Sequence, residues 1–202
     1  MTMIARFYPI VDSAEWVARL VSIGARLIQL RIKDLPPEEL RGEIRRAKII
    51  CAAAGAQLIV NDYWQLALDE ACDFIHLGQE DLVDADLPAL RRAGMRVGIS
   101  THSHEELETA LSADPDYVAL GPIWPTKLKQ MPWAPQGLDR VTEWKRLVGA
   151  RPLVAIGGLT VERAKLCLLA GADSVAVVGD IVRHDDPVGQ TRAWLEATEM
   201  AS

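Results

Sequence analysis

The sequence contains no long hydrophobic run and no excess of positive charge. None of its apolar stretches approaches the roughly 20 residues that a membrane helix needs. The start, MTMIARFYPIVDS, lacks the hydrophobic region and small-residue cleavage site of a signal peptide. The net charge of −6 argues against a basic surface of the kind that binds nucleic acid or anionic lipid. We therefore expect a cytoplasmic protein with no membrane or nucleic-acid partner, in which any phosphate site is local.

Cysteine is also scarce. The three cysteines, Cys51, Cys72 and Cys167, are an odd number, lie far apart and form no CxxC pair. Neither a disulfide framework nor a zinc site is indicated. We expect all three to be small core residues.

Short apolar runs, each followed by a stretch with helical spacing, recur eight times along the 202 residues. Several are continuous rather than alternating, which is typical of strands that are covered on both faces. This alternation of strands and helices fits a closed barrel and also a doubly wound open sheet. We predict an α/β fold, with residues 1–202 forming a single (β/α)8 TIM-barrel domain. The predicted strands are Phe7–Val11, Leu27–Arg31, Gln57–Asn61, Phe74–Leu77, Arg96–Ser100, Tyr117–Gly121, Leu153–Gly157 and Ser174–Val178.

Local signals mark helix ends and one long loop. Pro36 and Pro37 precede a helical pattern that ends at Gly55, and Ser103 with Glu106 has the spacing of a capping box. The longest irregular stretch, 122–137, contains four prolines and two tryptophans. A loop of that length and aromatic content favours a functional lid.

Polar and glycine residues cluster directly after the predicted strands. In a barrel these positions all surround the carboxyl-terminal mouth, where such enzymes place their active sites. The glycines after the last two strands, Gly157, Gly158 and Gly179, suit a phosphate site built from backbone N–H groups. A tight turn is the alternative explanation of the glycine pair.

Charged residues in the same positions indicate an anion and a metal. Arg31 and Lys33 are two residues apart, so in an extended segment both side chains point the same way, and an anion between them would relieve their repulsion. Asp62 and Asp81 follow neighbouring strands and supply the oxygen ligands that Mg²⁺ prefers. Each aspartate could instead be a helix N-cap. His102 is placed for proton transfer, whereas His76 fits a core residue as well as a ligand contact.

Six segments together resemble the thiamine phosphate synthase family, in order along nearly the whole chain. HLGQEDL combined with the PT-x-x-K loop is highly specific, although no single segment is. The segments are QLRIKD (29–34), NDYWQLA (61–67), HLGQEDL (76–82), GISTH (98–102), ALGPIWPTKLKQMPWAPQGL (119–138) and VAIGGL (154–159).

The resemblance implies a transferase that joins 4-amino-2-methyl-5-hydroxymethylpyrimidine diphosphate to a thiazole phosphate. The products are thiamine phosphate and diphosphate. It implies that diphosphate leaves first, assisted by Mg²⁺, and that the thiazole nitrogen then captures a pyrimidine methyl cation. The small-molecule substrates are the expected partners, and the sequence is compatible with a homo-oligomer.

The resemblance also implies a role for each matching residue, since a leaving diphosphate needs positive charge where negative charge develops. Gln29 and Ser100 are expected to contact the pyrimidine, and Mg²⁺ to bind Asp62 and Asp81. Each of the two phosphate groups has a larger set of expected contact residues. The residues expected to bind the diphosphate are Arg31, Lys33, Asn61 and Lys129. The residues expected to bind the thiazole or its phosphate are Thr126, Gly157, Gly158, Val178 and Gly179.

The chain departs from the family pattern at three places. The loop usually reads PT-x-TK, and here Leu128 replaces the second threonine, which removes a hydroxyl expected near the thiazole phosphate. Gly179 stands where many relatives have serine, and the chain begins almost at the first strand.

Two other functions remain open from the sequence alone. A thiazole tautomerase would use His102 as acid or base but has no need of a complete diphosphate site. A noncatalytic barrel that binds thiamine precursors is suggested by Leu128 and Gly179.

Overall fold

Eight parallel strands close into a barrel in the computed structural model, which describes residues 4–126 and 133–199. Each strand pairs with its neighbours in sequence, and the last strand pairs with the first through Phe7 and Val175. The predicted (β/α)8 barrel is thus confirmed, and every strand lies within one residue of its predicted bounds. The strands are β1 Phe7–Val11, β2 Leu27–Leu30, β3 Gln57–Asn61, β4 Phe74–Leu77, β5 Arg96–Thr101, β6 Tyr117–Leu120, β7 Leu153–Ile156 and β8 Ser174–Val177.

Helices connect successive strands and follow the last one. None of those within the described ranges is long and apolar enough to cross a membrane. They are α1 Ala14–Ile23, α2 Pro37–Ala53, α3 Trp64–Asp69, α4 Gln79–Asp84, α5 Leu87–Arg92, α6 His104–Ser112, α7 Gly137–Val148, α8 Val161–Leu169, α9 Gly179–Val182 and α10 Pro187–Glu199.

Two helix ends show how the local signals operate. Helix α2 is capped by Ala54, and Gly55 follows with φ 64°, so the helix ends one residue earlier than the glycine alone indicated. Ser103 caps α6 by accepting from the Glu106 N–H, as predicted. The Glu106 carboxylate, however, accepts from the backbone N–H of His102 at 2.6 Å instead of returning to Ser103.

The buried apolar residues fall into two clusters. The larger cluster lies between the strands and the surrounding helices and includes Trp144, Trp194 and all three cysteines, which are free and buried as expected. The smaller cluster is formed by strand residues whose side chains fill the inside of the barrel, including Tyr8 and Tyr117. Polar side chains at the carboxyl ends of the strands therefore lie above a packed interior.

Candidate active site

An acidic pair lies above the carboxyl ends of β3 and β4. Asp62 follows β3 with φ 64°, and Asp81 occupies the first turn of α4, where its carboxylate accepts from the Gly78 N–H at 3.2 Å. Burial, together with the charge of Asp81 and a hydrogen bond to it, raises the pKa of Asp62 to about 6. The N-caps of the adjacent helices are Tyr63 and Gly78, so neither aspartate is an N-cap. Two carboxylates held this close repel each other when both are ionised.

Two of the four predicted diphosphate residues, Arg31 and Asn61, act on the Asp62 carboxylate. Arg31 follows β2, is half-buried, and opposes the rise in the pKa of Asp62 through its charge. Asn61, at the end of β3, is buried and lowers the same pKa by hydrogen bonding to the carboxylate. Lys33 lies exposed in the loop beyond Arg31. Lys129, like Lys127 and Leu128, lies outside the described residues.

Gln29 and Ser100, the predicted pyrimidine contacts, terminate a row of hydrogen bonds through the barrel interior. The Gln29 amide nitrogen donates to the Tyr8 hydroxyl at 2.7 Å, and the Tyr8 and Tyr117 hydroxyls are 2.9 Å apart. The Tyr117 hydroxyl is 2.6 Å from Nδ1 of His76, and Nε2 of His76 is 2.8 Å from Oγ of Ser100. We call these five residues the polar row.

The polar row is almost entirely removed from water. Burial lowers the pKa of His76 to about 4 and raises the pKa of both tyrosines, so all three rings are neutral at pH 7. Ser100 at the end of the row is half-buried. A neutral, fully hydrogen-bonded row inside a packed barrel gives its two ends fixed positions.

Two glycine turns follow β7 and β8. Gly157 and Gly158 have φ of 99° and 66°, and a Cβ on either would lie 2.6 Å from backbone atoms of Pro122 or Pro125, respectively. Glycine is therefore required both by the backbone conformation and by the close approach of the β6 loop. The tight-turn explanation of this pair is thereby supported. It does not conflict with a phosphate site, since a glycine turn can also present backbone N–H groups to an anion.

The remaining predicted thiazole contacts border these turns. Thr126 is half-buried on the β6 loop. Val178 and Gly179 follow β8, at the point where α9 begins with Gly179. The strand order brings the loops after β6, β7 and β8 together on one side of the mouth.

The ends of the long loop are held by aromatic contacts. Near its start, Trp124 lies under the Arg163 guanidinium, 5.2 Å from the ring centroid. Towards its end, Trp133 stacks on His102 at 5.7 Å, and the Gln136 amide donates to the His102 carbonyl. Because the His102 ring is also bonded to Glu106 at 2.7 Å, this histidine contributes to anchoring the loop.

The sequence interpretation missed Tyr8 and Tyr117 and left His76 undecided. Both tyrosines lie in apolar strands, where an aromatic residue is ordinary core. Spacing by two gave a usable signal, because residues two apart in a strand point to the same face. Gln29 therefore faces the same way as Leu27, and His76 faces the same way as Phe74. Leu27 and Phe74 both belong to the inner cluster.

A parallel (β/α)8 barrel with an acidic pair, an adjacent arginine and glycine turns at its carboxyl-terminal mouth defines the class of the molecule as a barrel enzyme. The family model described as thiamine monophosphate synthase matches residues 7–181. The chain belongs to the thiamine monophosphate synthase family.

Individual relatives agree with this assignment. A thiamine-phosphate synthase of Rhizobium etli is 67% identical over 95% of this chain and 94% of its own length. One of Citrobacter koseri is 46% identical over 95% of this chain and 87% of its own. Among solved structures, a thiamine phosphate pyrophosphorylase from Pyrococcus furiosus superposes with a TM-score of 0.86 at 26% identity, covering 97% of this chain and 96% of the other.

Proposed function

We propose that the protein joins an aminopyrimidine methyl diphosphate to a thiazole phosphate, releasing diphosphate and forming thiamine phosphate. The observation that carries this proposal is the grouping of Arg31, Asn61, Asp62 and Asp81 at the same mouth as the ends of the polar row. Membership of the thiamine monophosphate synthase family supports it. We also propose a cytoplasmic location.

Asp62 and Asp81 fit Mg²⁺ by their chemistry. Their oxygens are ligands that this ion accepts, and a divalent cation between them would remove the repulsion that, in addition to burial, raises the pKa of Asp62. Over residues 4–126 and 133–199, no group of three or more His, Cys, Asp or Glu side chains could hold a metal. Two carboxylates suffice for Mg²⁺, which commonly takes its other ligands from phosphates and water. When bound there, Mg²⁺ would supply charge neutralisation for the leaving diphosphate.

The cationic and amide groups next to the pair would bind the diphosphate. The Arg31 guanidinium has donors that match two phosphate oxygens at once, and the buried Asn61 amide adds another. The charge that develops on the leaving group then meets groups already in place, which lowers the barrier without reorganisation. Lys33 and Lys129 stay predicted contacts of the same group.

Gln29 and Ser100 would orient the pyrimidine ring with its reactive methylene towards the diphosphate site. The turns at Gly157, Gly158 and Gly179, with Thr126 and the backbone of Val178, would hold the thiazole phosphate. A substrate bound on that side of the mouth would face the pyrimidine across the barrel axis. No residue in this scheme transfers a proton, in contrast to a tautomerase. His102, the acid or base of that alternative, is bonded to Glu106 and stacked on Trp133.

The test is a coupling assay with purified protein, pyrimidine diphosphate, thiazole phosphate and Mg²⁺, followed by chelation with EDTA. We expect thiamine phosphate and diphosphate in equal amounts, with product formation stopping on chelation and returning when Mg²⁺ is restored. Absence of product with both substrates bound would overturn the proposal in favour of a noncatalytic barrel. Absence of product and of diphosphate binding would favour the tautomerase.

Leu128 provides a separate prediction for the thiazole side. Restoring the family hydroxyl with Leu128→Thr should lower the KM for thiazole phosphate about three- to tenfold, the effect of about 0.5–1.5 kcal/mol from one hydrogen bond. The comparison is steady-state kinetics of both proteins at varied thiazole phosphate. Leu128→Val, which shortens the side chain without adding a hydroxyl, is the control. An unchanged KM in the threonine variant would show that the hydroxyl has no role.

A further inference from the structure

The polar row connects two strands that are far apart in the barrel. It runs from Gln29 on β2 through Tyr8 on β1, Tyr117 on β6 and His76 on β4 to Ser100 on β5. Three of its members, Tyr8, Tyr117 and His76, lie below the mouth and are at most 8% exposed. The diphosphate and thiazole sites described above do not use these three residues.

The direction of every hydrogen bond in the row is inferred from its first member and from the need of each buried hydrogen for an acceptor. An amide nitrogen can only donate, so the Tyr8 oxygen accepts from Gln29. We infer that the buried Tyr8 hydrogen is directed to the Tyr117 oxygen, its other neighbour in the row. The Tyr117 hydroxyl, having accepted from Tyr8, donates to Nδ1 of His76.

The same argument gives the positions of the hydrogens on His76 and Ser100. With Nδ1 accepting, the imidazole hydrogen lies on Nε2 and is donated to the Ser100 oxygen. The Ser100 hydroxyl hydrogen is then left for a ligand at the mouth. At the other end, the Gln29 amide donates one N–H to Tyr8, which leaves its carbonyl oxygen and its second N–H for other partners.

We propose that the polar row fixes the hydrogen-bond polarity of the pyrimidine site at Ser100, with His76 and Tyr117 as positioning residues that make Ser100 a donor towards the ligand. The inference rests on the proposed function, because it concerns how that site recognises its heterocycle. The matching ligand is an amino-substituted ring, which donates from its amino group and accepts at a ring nitrogen. A 4-oxo analogue carries a hydrogen on that ring nitrogen, so the Ser100 donor would meet another donor.

Discrimination between the two rings should therefore be strong. A buried site that is built to hydrogen-bond one pattern leaves its own groups unpaired with the reversed pattern. We expect the 4-amino substrate to exceed the 4-oxo analogue in kcat/KM by at least about a hundredfold.

The first experiment measures the histidine tautomer directly in the free protein. Nitrogen-15 NMR of the ring nitrogens, with His76 assigned by its disappearance in His76→Gln, should show a neutral ring protonated at Nε2 at pH 7. A ring protonated at Nδ1, or at both nitrogens, would overturn the proposal. This result is independent of turnover, so it decides the matter even if the coupling assay fails.

The second experiment breaks the row at a distance from the ligand. Tyr117→Phe removes the oxygen that joins Tyr8 to His76, so the His76 tautomer is no longer fixed. The KM for the pyrimidine diphosphate should rise about three- to tenfold, the effect of losing the one hydrogen bond from Ser100 to the ring. It should also reduce the amino-over-oxo preference, while leaving the KM for thiazole phosphate unchanged. His76→Gln, which can still donate to Ser100, should keep more of the preference than His76→Met, which cannot.

Ile59→Val is the matched control, since Ile59 belongs to the same inner cluster but not to the row. It should lower the melting temperature slightly with no change in either KM or in the preference. An active wild-type enzyme whose Tyr117→Phe variant kept the same pyrimidine KM and preference would overturn the inference alone. An inactive wild type would instead count against the proposed function.

Discussion

Replacing Asp62 by Asn should remove most of the coupling activity and at the same time raise the melting temperature of the Mg²⁺-free protein. The loss of activity is expected at about 10²–10³-fold in kcat, the usual effect of removing one preorganised electrostatic group. Asn keeps the shape of the side chain and tolerates the positive φ at this position. The missing charge is thus the main difference between the two proteins.

The gain in stability follows from the sign of the pKa shift. Burial and the Asp81 charge raise the pKa of Asp62 to about 6, above its ordinary 3.8. Between these values the folded state binds more protons than the unfolded state, so stability falls as the pH rises through the window. Above pH 6 the penalty is fully present, and the Asp62→Asn variant does not carry it. Partial exposure screens the repulsion, so we expect about 1 kcal/mol, or about 2–4 °C.

The measurement is thermal unfolding at pH 5 and pH 8 without metal, combined with the coupling assay. The difference between variant and wild type should be larger at pH 8. Adding Mg²⁺ should stabilise the wild type and have little effect on Asp62→Asn. Asp34→Asn is the control for stability, because Asp34 also has a positive φ, 63°, but is exposed. Turnover within tenfold of wild type at the same Mg²⁺ requirement would contradict the metal role.

The strands were predictable because a parallel barrel buries both faces of each strand and so produces short, continuous apolar runs. The position of the polar residues followed from the fold, since the carboxyl ends of all eight strands meet at one mouth. Asp62 and Asp81 come together for that reason, and no local pattern near either residue indicates the other. Their family roles, and that of Lys129, stay predictions.

Only part of the polar row could be inferred from the sequence. Spacing by two relates Gln29 to Leu27 and His76 to Phe74, but continuous apolar strands do not reveal which of their two faces points inwards. Tyr8 and Tyr117 are 109 residues apart, and their contact depends on the register of β1 and β6 in a closed barrel. The capping partner of Glu106 was missed for a different, local reason, since the backbone N–H that it accepts from belongs to His102, one residue before the expected Ser103. Its carboxylate binds His102, whose ring is held by Trp133 from the distant loop.

Gly98→Ala is expected to be the most destabilising single substitution considered for the barrel interior. Gly98 lies on β5 beneath the Tyr117 ring, and a Cβ there would be 2.1 Å from two ring carbons. The overlap forces the ring or the strand to move, with a cost at the upper end of the about 1–3 kcal/mol typical of overpacking. In a chain of this size that corresponds to a fall of about 6–12 °C in melting temperature.

The same displacement should carry a kinetic signature, because it moves the Tyr117 hydroxyl out of the row. We expect the pyrimidine KM to rise with the loss of stability, and the thiazole KM to stay constant. Gly42→Ala is the control, and its expected effect on stability has the opposite sign. Gly42 lies inside α2, and a Cβ there meets nothing within 4 Å. That change should stabilise the protein by about 0.5–1 kcal/mol.

A double variant separates the steric effect from the hydrogen-bond effect. Adding Tyr117→Leu to Gly98→Ala removes the overlapping ring carbons, so the two changes should couple favourably and restore part of the melting temperature. Leucine has no hydroxyl to return to the row, so the raised pyrimidine KM should persist. Recovery of both quantities together would show that Tyr117 acts on the site only through packing. Recovery of stability alone is the result expected if the hydrogen bond to His76 transmits the effect to Ser100.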